Sequence, residues 1–322
     1  MRAVFLLLIF TLSNSASSQW LTTRGTVIVN DENQEILLRG MGPGGWMVME
    51  GYMMKTEGFA GTQHEIKSNL IDLMGEEKTE LFFDKWLENH FTRRDVDSLA
   101  SWGFNSIRLP MHYNLFTLPI EAEPVKGNNT WLEKGFAMVD SLLDWCGSKE
   151  MYLILDLHAA PGGQGYNADI SDYDDSKPSL WESKENRDKT VAFWKKVAER
   201  YNDEPWIGGY DLINETNWNL PGGTLLRNLY QEITDSIRAT GDEHILFIEG
   251  NWFANDYTGL TPPWDGNMVY SFHKYWSSLD DLDWIIPLRD QYNVPLWMGE
   301  SGENSNTWFT DAVILFEENN IG

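Results

Sequence analysis

Six largely apolar runs of this sequence each close on side chains that can move a proton, hold a charge or donate a hydrogen bond. Arg108 stands in "SIRLP", Asp156 and His158 end "LILDLH", and Asn214 and Glu215 end "DLINE". Further on, Glu249 closes "LFIE" with Asn251 and Trp252 just beyond, His273 and Tyr275 follow "VYSF", and Glu300 closes "LWMGE". Two glutamates at such tips can divide labour: one stays protonated and donates to a leaving oxygen, while the other stays ionised and attacks carbon. If Glu215 and Glu300 face each other at roughly 5 Å, the pair suits a covalent glycosyl intermediate and net retention of configuration. Asn214, next to the acid, could bond a sugar 2-hydroxyl. Taken singly, each residue has a plainer reading. Glu215 could be a surface glutamate, Arg108 half of a structural salt bridge, His158 a loop cap and His273 a buried imidazole. Glu249 also ends a strand, and from its own residues it competes as the second carboxylate; a structural or substrate-binding role is the expectation.

Such tips converge only if the strands run parallel, and the order of elements says that they do. "TRRDVDSLASWG" has helical period and stops at Gly103, "NSIRLP" reads as a strand stopped by Pro110, and "LEKGFAMVDSLLDWCGSKE" is helical again. "MYLILDLH" is apolar enough to be buried on both faces, as strands of parallel sheets are. The alternation continues through "NRDKTVAFWKKVAERYN", "IGGYDLINE", "TLLRNLYQEITDSIRATG", "HILFIEG", "MVYSFHKYW", "LDDLDWIIPLRDQY", "PLWMGES" and "TWFTDAVILFEEN". Ahead of it come a hairpin over residues 21–35 turning at "NDEN", a first strand in "ILLRGMG", and a long insert from Met47 to His90 carrying two short helices. Seven strands in a βα series predict an α/β fold, a (β/α)8 TIM barrel, over an open doubly wound sheet, and no GxGxxG follows an early strand. Barrel chemistry sits at the C-terminal strand ends, where the fourth and seventh strands face each other. Ile321 and Gly322 would be the first residues of an eighth strand, so the expectation is a barrel truncated before that strand.

The remaining features bound the partners. One arginine, the apolar run Ala3 to Leu12 and the small residues Ser15 to Ser18 predict a signal peptide over 1–18 and a secreted or periplasmic catalytic barrel over 19–322. The apolar run is too short for a permanent membrane span, which needs about 20 residues, so the mature form is expected off the membrane and monomeric. Cys146 is the single cysteine; its place in a helical apolar pattern reads as core. With 24 basic against 49 acidic residues the net charge is −25, which repels phosphate backbones and argues against nucleic acid as a partner. Sixteen tryptophans supply flat apolar faces on which sugar rings can lie. No metal and no cofactor is expected: zinc or manganese sites usually need three or more convergent ligands, and no HxH pair stands on the first strand. "NNT" at Asn128 is a loop-like glycosylation sequon, whereas "NET" at Asn214 reads as coincidence at a strand end.

In order, "IRLP", "LDLHAAPGGQ", "LINE", "FHKYW" and "WMGES" resemble glycoside hydrolase family 5, the cellulase family of the retaining glycosidase clan. The resemblance implies Glu215 as acid/base and Glu300 as nucleophile. It further implies Arg108 as support for the nucleophile, His158 and His273 as substrate-site histidines, and Tyr275 as the tyrosine near the nucleophile. "DLHAAPGGQ" is similar to the third-strand loop of members that act on β-1,3-glucans. The implied activity is hydrolysis of β-glucan, of cellulase or β-1,3-glucanase type, by double displacement. The alternatives are a non-catalytic carbohydrate-binding barrel and a metal-dependent barrel hydrolase.

Overall fold

Alternation along the strands decides which side chains enter the centre of the molecule. The structure, a computed structural model, describes residues 20–279 and 282–322; the expected signal peptide lies outside them. Seven parallel strands form one curled sheet in sequence order: β3 (Gly40–Met41), β4 (Ser106–His112), β5 (Tyr152–Ala159), β6 (Ile207–Asp211), β7 (Leu246–Glu249), β8 (Met268–His273) and β9 (Leu296–Glu300). Side chains of successive residues point to opposite faces. On β5, Leu153, Leu155 and Leu157 pack outward against the helices. Tyr152 and Ile154 join Phe247, Val269 and Trp297 in a smaller apolar cluster, and Asp156 and His158 continue that second face upward. Glu249 follows Phe247 by two residues, and His273 follows Val269 by four. The face that is greasy at the foot of the sheet is therefore charged at its C-terminal rim.

The foot is plugged by a hairpin of β1 (Thr22–Arg24) and β2 (Val27–Val29), whose Leu21 and Ile28 join the lower cluster. It turns at Gly25, which takes φ +62°, and not at "NDEN". That stretch makes a second turn, closed by Asn30 Oδ1 accepting from Glu32 N (3.1 Å) and Gln34 N (2.9 Å). Pro110 does not stop β4 as expected. The ladder with β3 ends at Ile107, so the strand runs on to His112 along an edge where a missing N–H breaks no pairing. Helices Glu133–Gly147, Lys184–Tyr201 and Thr224–Arg238 cover the outer face. The fold is a (β/α)8 barrel, of which the described residues carry seven strands. Gly322 marks the eighth position: its carbonyl accepts from Met298 N of β9 at 2.9 Å, and a Cβ added to it would lie 2.8 Å from Leu38 N, just before β3.

The insert forms helices Gln63–Met74 and Glu76–Asn89. Trp46 Nε1 donates to Leu87 O (2.8 Å) and Trp86 Nε1 to Gly45 O (2.7 Å), which pins its base. Its outer end is held by Asp172 of the β5 loop, which accepts from His64 N and His64 Nδ1 (2.8 Å each) and pairs with His112 Nε2 (2.9 Å). Burial alone would raise the Asp172 pKa, but the hydrogen bonds of His112 and His64 outweigh it and hold the carboxyl well below the usual range. The same contact raises His64. His64 thus adds stability below its unfolded pKa of about 6.5, fading as pH rises through the raised value, while Asp172 adds stability above about 3.9, fading as pH falls. Asp172→Asn is expected to lower Tm most between roughly pH 4 and 6.5. Melting curves across pH check this; an equal loss at pH 5 and pH 9 would mean that charge plays no part.

Candidate active site

At the rim, Arg108 collects the charges that alternation has brought inward. It is buried, with 4% of its surface exposed. Its Nε donates to Asp211 Oδ2 (2.8 Å), its Nη2 to Asn214 Oδ1 (2.8 Å) and Glu249 Oε1 (3.0 Å), and its Nη1 to Glu300 Oε1. Asp156 Oδ1 lies 3.2 Å from Nη2. Burial opposes the guanidinium charge, yet the surrounding carboxylates hold its pKa above the ordinary value. Four acids share this one guanidinium, and burial leaves two of them short of compensation. Burial and the charge of Glu249 push Asp211 up to about 7 despite Arg108, and burial raises Asp156 against the pull of Arg108 and His158.

Glu300 is the acid best served. Tyr275 donates its hydroxyl to Oε2 at 2.8 Å, His273 Nδ1 lies 3.5 Å from the same oxygen, and His158 Nδ1 lies 3.8 Å from Oε1. Burial alone would raise its pKa; the charges of His273, Arg108 and His158, with the Tyr275 hydrogen bond, overcome that and hold it ionised well below the usual range. Both histidines have raised pKa values. Burial lowers each, but Asp156 outweighs it for His158, whose Nδ1 contacts Asp156 Oδ2 at 2.8 Å. Glu249 and Glu300 outweigh it for His273. Burial beside the Glu300 charge raises the Tyr275 hydroxyl, keeping it a donor.

Glu215 stands across from Glu300, beyond the last ladder residue of β6. One carboxylate oxygen from each, with a nitrogen of His273, fall within 4.8 Å of one another, and Glu215 Oε1 is 2.6 Å from His273 Nδ1. Its backbone takes φ +36°, a left-handed conformation that costs an L-residue roughly 1–2 kcal/mol. Glu249 holds it there: fully buried, it accepts the Glu215 N–H on Oε2 at 2.6 Å while Oε1 contacts Arg108 and sits 3.2 Å from His273 Nε2. Asn214, also fully buried, gives its carbonyl oxygen to Arg108 and places Nδ2 3.5 Å from His158 Nε2.

All the residues singled out from the sequence, namely Arg108, His158, Asn214, Glu215, His273, Tyr275 and Glu300, thus converge at one end of the sheet. Two more belong with them that sequence reasoning passed over. Asp211 is a lone acid inside the apolar "GYDLIN"; its signal was register, since it pairs with Asp156 of β5. Glu50 comes from the start of the insert, buried with Oε1 3.5 Å from His158 Nε2, and no local pattern marks it. Among the described residues three groups have metal-ligand spacing: Asp156, His158 and Glu300; Glu215, His273 and Glu300; and Asp156, Asp211 and Glu249. In the third, the Arg108 guanidinium already serves as the cation. Of the two sequons, Asn214 is fully buried and Asn128 lies on an exposed turn.

Comparison with known proteins agrees with this geometry. The sequence model of cellulase (glycosyl hydrolase family 5) matches residues 64–321. A β-xylosidase of Phanerodontia chrysosporium is 37% identical over 80% of this chain and 52% of its own length. Endoglucanase C of Acetivibrio thermocellus is 29% identical over 61% of this chain and 53% of its own. This chain spans about half the length of these relatives. Among solved structures, the catalytic domain of a Thermobifida fusca endoglucanase superposes with a TM-score of 0.61 at 17% identity, over 95% of this chain and 83% of that one. A β-glucanase of Saccharophagus degradans, solved with cellotetraose, gives 0.62 at 15% identity, over 94% and 82%; at such identities the likeness is one of fold. With a family match that spans most of the barrel and motifs that meet at its rim, the chain belongs to glycoside hydrolase family 5, the cellulase family.

Proposed function

We propose that this chain is the catalytic barrel of a secreted, retaining β-glycosidase that hydrolyses β-glucan. The observation that carries the reading is the Glu215 and Glu300 pair, with carboxylate oxygens within 4.8 Å of each other and Glu300 held ionised. That spacing is short for an attacking water and suits direct attack by a carboxylate. Glu300 attacks the anomeric carbon along the axis that Arg108 and Tyr275 fix, and Glu215 protonates the departing oxygen. The 2.6 Å contact with His273 Nδ1 fixes where the Glu215 carboxyl points. Once the leaving group has gone, Glu215 takes a proton from water, which attacks the glycosyl ester and regenerates Glu300. Secretion rests on the apolar N-terminal run and the small residues after it.

Retention is the first expected outcome. Hydrolysis followed by NMR from the earliest seconds should yield the β-anomer of the first-formed sugar, before mutarotation mixes it. Initial α-anomer would overturn the double-displacement reading. A second reading, a β-xyloside as substrate, is favoured by the β-xylosidase at 37% identity. Matched aryl β-glucosides and β-xylosides separate the two, and the larger kcat/KM names the sugar. Glycan binding without product release would instead favour a non-catalytic barrel, and activity lost on chelation a metal-dependent one.

A further inference from the structure

Past the end of β8 the chain leaves the ladder, and its backbone carbonyls must find other partners. Each of the five from Lys274 to Ser278 accepts from a side chain. Ser301 Oγ donates to Lys274 O (2.8 Å), Asn304 Nδ2 to Tyr275 O (3.0 Å) and Trp308 Nε1 to Ser277 O (2.9 Å). The other two, Trp276 O (3.3 Å) and Ser278 O, both accept from the ammonium of Lys274. One side chain thus braces the loop on either side of Ser277.

That ammonium stands where ammonium groups are rare. Lysine is almost never fully buried unless paired, yet Lys274 leaves only 1% of its surface exposed. Its charge is solvated by the carbonyls and by the Trp276 ring, whose centroid lies 4.0 Å from Nζ. Packing alone would be met by an apolar residue at no such desolvation cost, so the charge points to a task. The residues on either side name it. Tyr275 donates its hydroxyl to Glu300 Oε2 (2.8 Å) and His273 Nδ1 contacts Glu215 Oε1 (2.6 Å). Alternation turns the Lys274 side chain away from the site and into the loop, while its backbone N–H donates to Glu300 O (3.1 Å).

We infer that Lys274 is a positioning residue: by bracing the loop that begins at Tyr275, it holds the Tyr275 hydroxyl on the Glu300 carboxylate. Buried as it is, Lys274 reaches no substrate and acts through Tyr275. The inference rests on the proposed function, in which Glu300 is the nucleophile that Tyr275 orients.

The test is a double-mutant cycle on Lys274→Met and Tyr275→Phe, read as kcat/KM for a dinitrophenyl β-glycoside, which reports formation of the glycosyl-enzyme. Each single variant should lose about tenfold or more, the scale of one hydrogen bond to a charged group. Added to Tyr275→Phe, Lys274→Met should cost less than about twofold further, because the contact it supports is already gone. A role confined to stability would lower Tm and leave the rate of the folded protein unchanged, and a role independent of Tyr275 would make the two losses multiply; either result overturns the inference. If Lys274→Met does not fold, Lys274→Gln, which keeps an amide donor without the charge, takes its place in the cycle with the same expectation. If the parent does not cleave the glycoside, the glycosidase reading itself has failed, and crystal structures of parent and variant decide the positioning alone. The Tyr275 hydroxyl should then leave hydrogen-bond distance of Glu300 in the variant, and an unmoved hydroxyl overturns the inference.

Discussion

Glu300→Gln is expected to abolish turnover of every β-glycoside, whatever its leaving group, whereas Glu215→Gln is expected to lose activity only where the leaving group needs a proton. The difference follows from the two roles. Without the Glu300 carboxylate no glycosyl ester forms, and no quality of leaving group replaces it. Loss of a general acid costs on the order of 10²–10⁴-fold on an unactivated sugar. A dinitrophenolate departs without help, so Glu215→Gln should form the glycosyl-enzyme from a dinitrophenyl glycoside nearly as fast as the parent. Hydrolysis of that ester then waits on the missing base. Pre-steady-state release of dinitrophenolate checks the pair: a burst in Glu215→Gln, none in Glu300→Gln. The same deficit in both variants would sink the assignment of roles.

The largest effect on stability is expected from Arg108→Met. Removing one partner of a buried ion pair costs about 3–5 kcal/mol because the other charge is left uncompensated. Here Asp156, Asp211, Glu249 and Glu300 all lose the guanidinium at once, and only the imidazoles of His158 and His273 remain beside them. The variant can recover part of the loss by taking up protons. Its buried carboxyls would titrate above their unfolded values of about 4, so stability is present at low pH and is lost as pH rises through the folded values. Asp211, already pushed up to about 7 in the parent, shows the direction. Urea unfolding should therefore find a larger deficit at pH 8 than at pH 5. Equal deficits at the two pH values would mean that these acids are compensated by something other than Arg108.

The barrel was legible because each buried strand is a short apolar run between helical stretches, and its rim because polar residues close those runs. What was not legible depends on three dimensions. Asp211 joins the Arg108 cluster only through its register with Asp156, and Glu50 reaches His158 from the insert, which no spacing along the chain reveals. Glu249 was placed by sequence between a second catalytic carboxylate and a structural one; its geometry is that of a clamp, with both oxygens committed to Glu215 N–H and Arg108. The hairpin was misplaced for a local reason: "NDEN" is strong turn chemistry, but Gly25 reaches a positive φ more cheaply and sits one strand earlier. Trp252, Phe253 and Ala254 take positive φ in succession with no glycine among them, so nothing in composition announces that turn.

The most direct measurement is to trap the intermediate. A 2-deoxy-2-fluoro β-glycoside with a dinitrophenyl leaving group reacts once and then stalls, because fluorine destabilises both oxocarbenium-like transition states while the activated leaving group restores only the first. Incubation with the protein, followed by mass spectrometry of the intact chain and of its peptides, should find one glycosyl unit attached as an ester to Glu300. An ester on Glu249 or Glu215 instead would contradict the account at its centre.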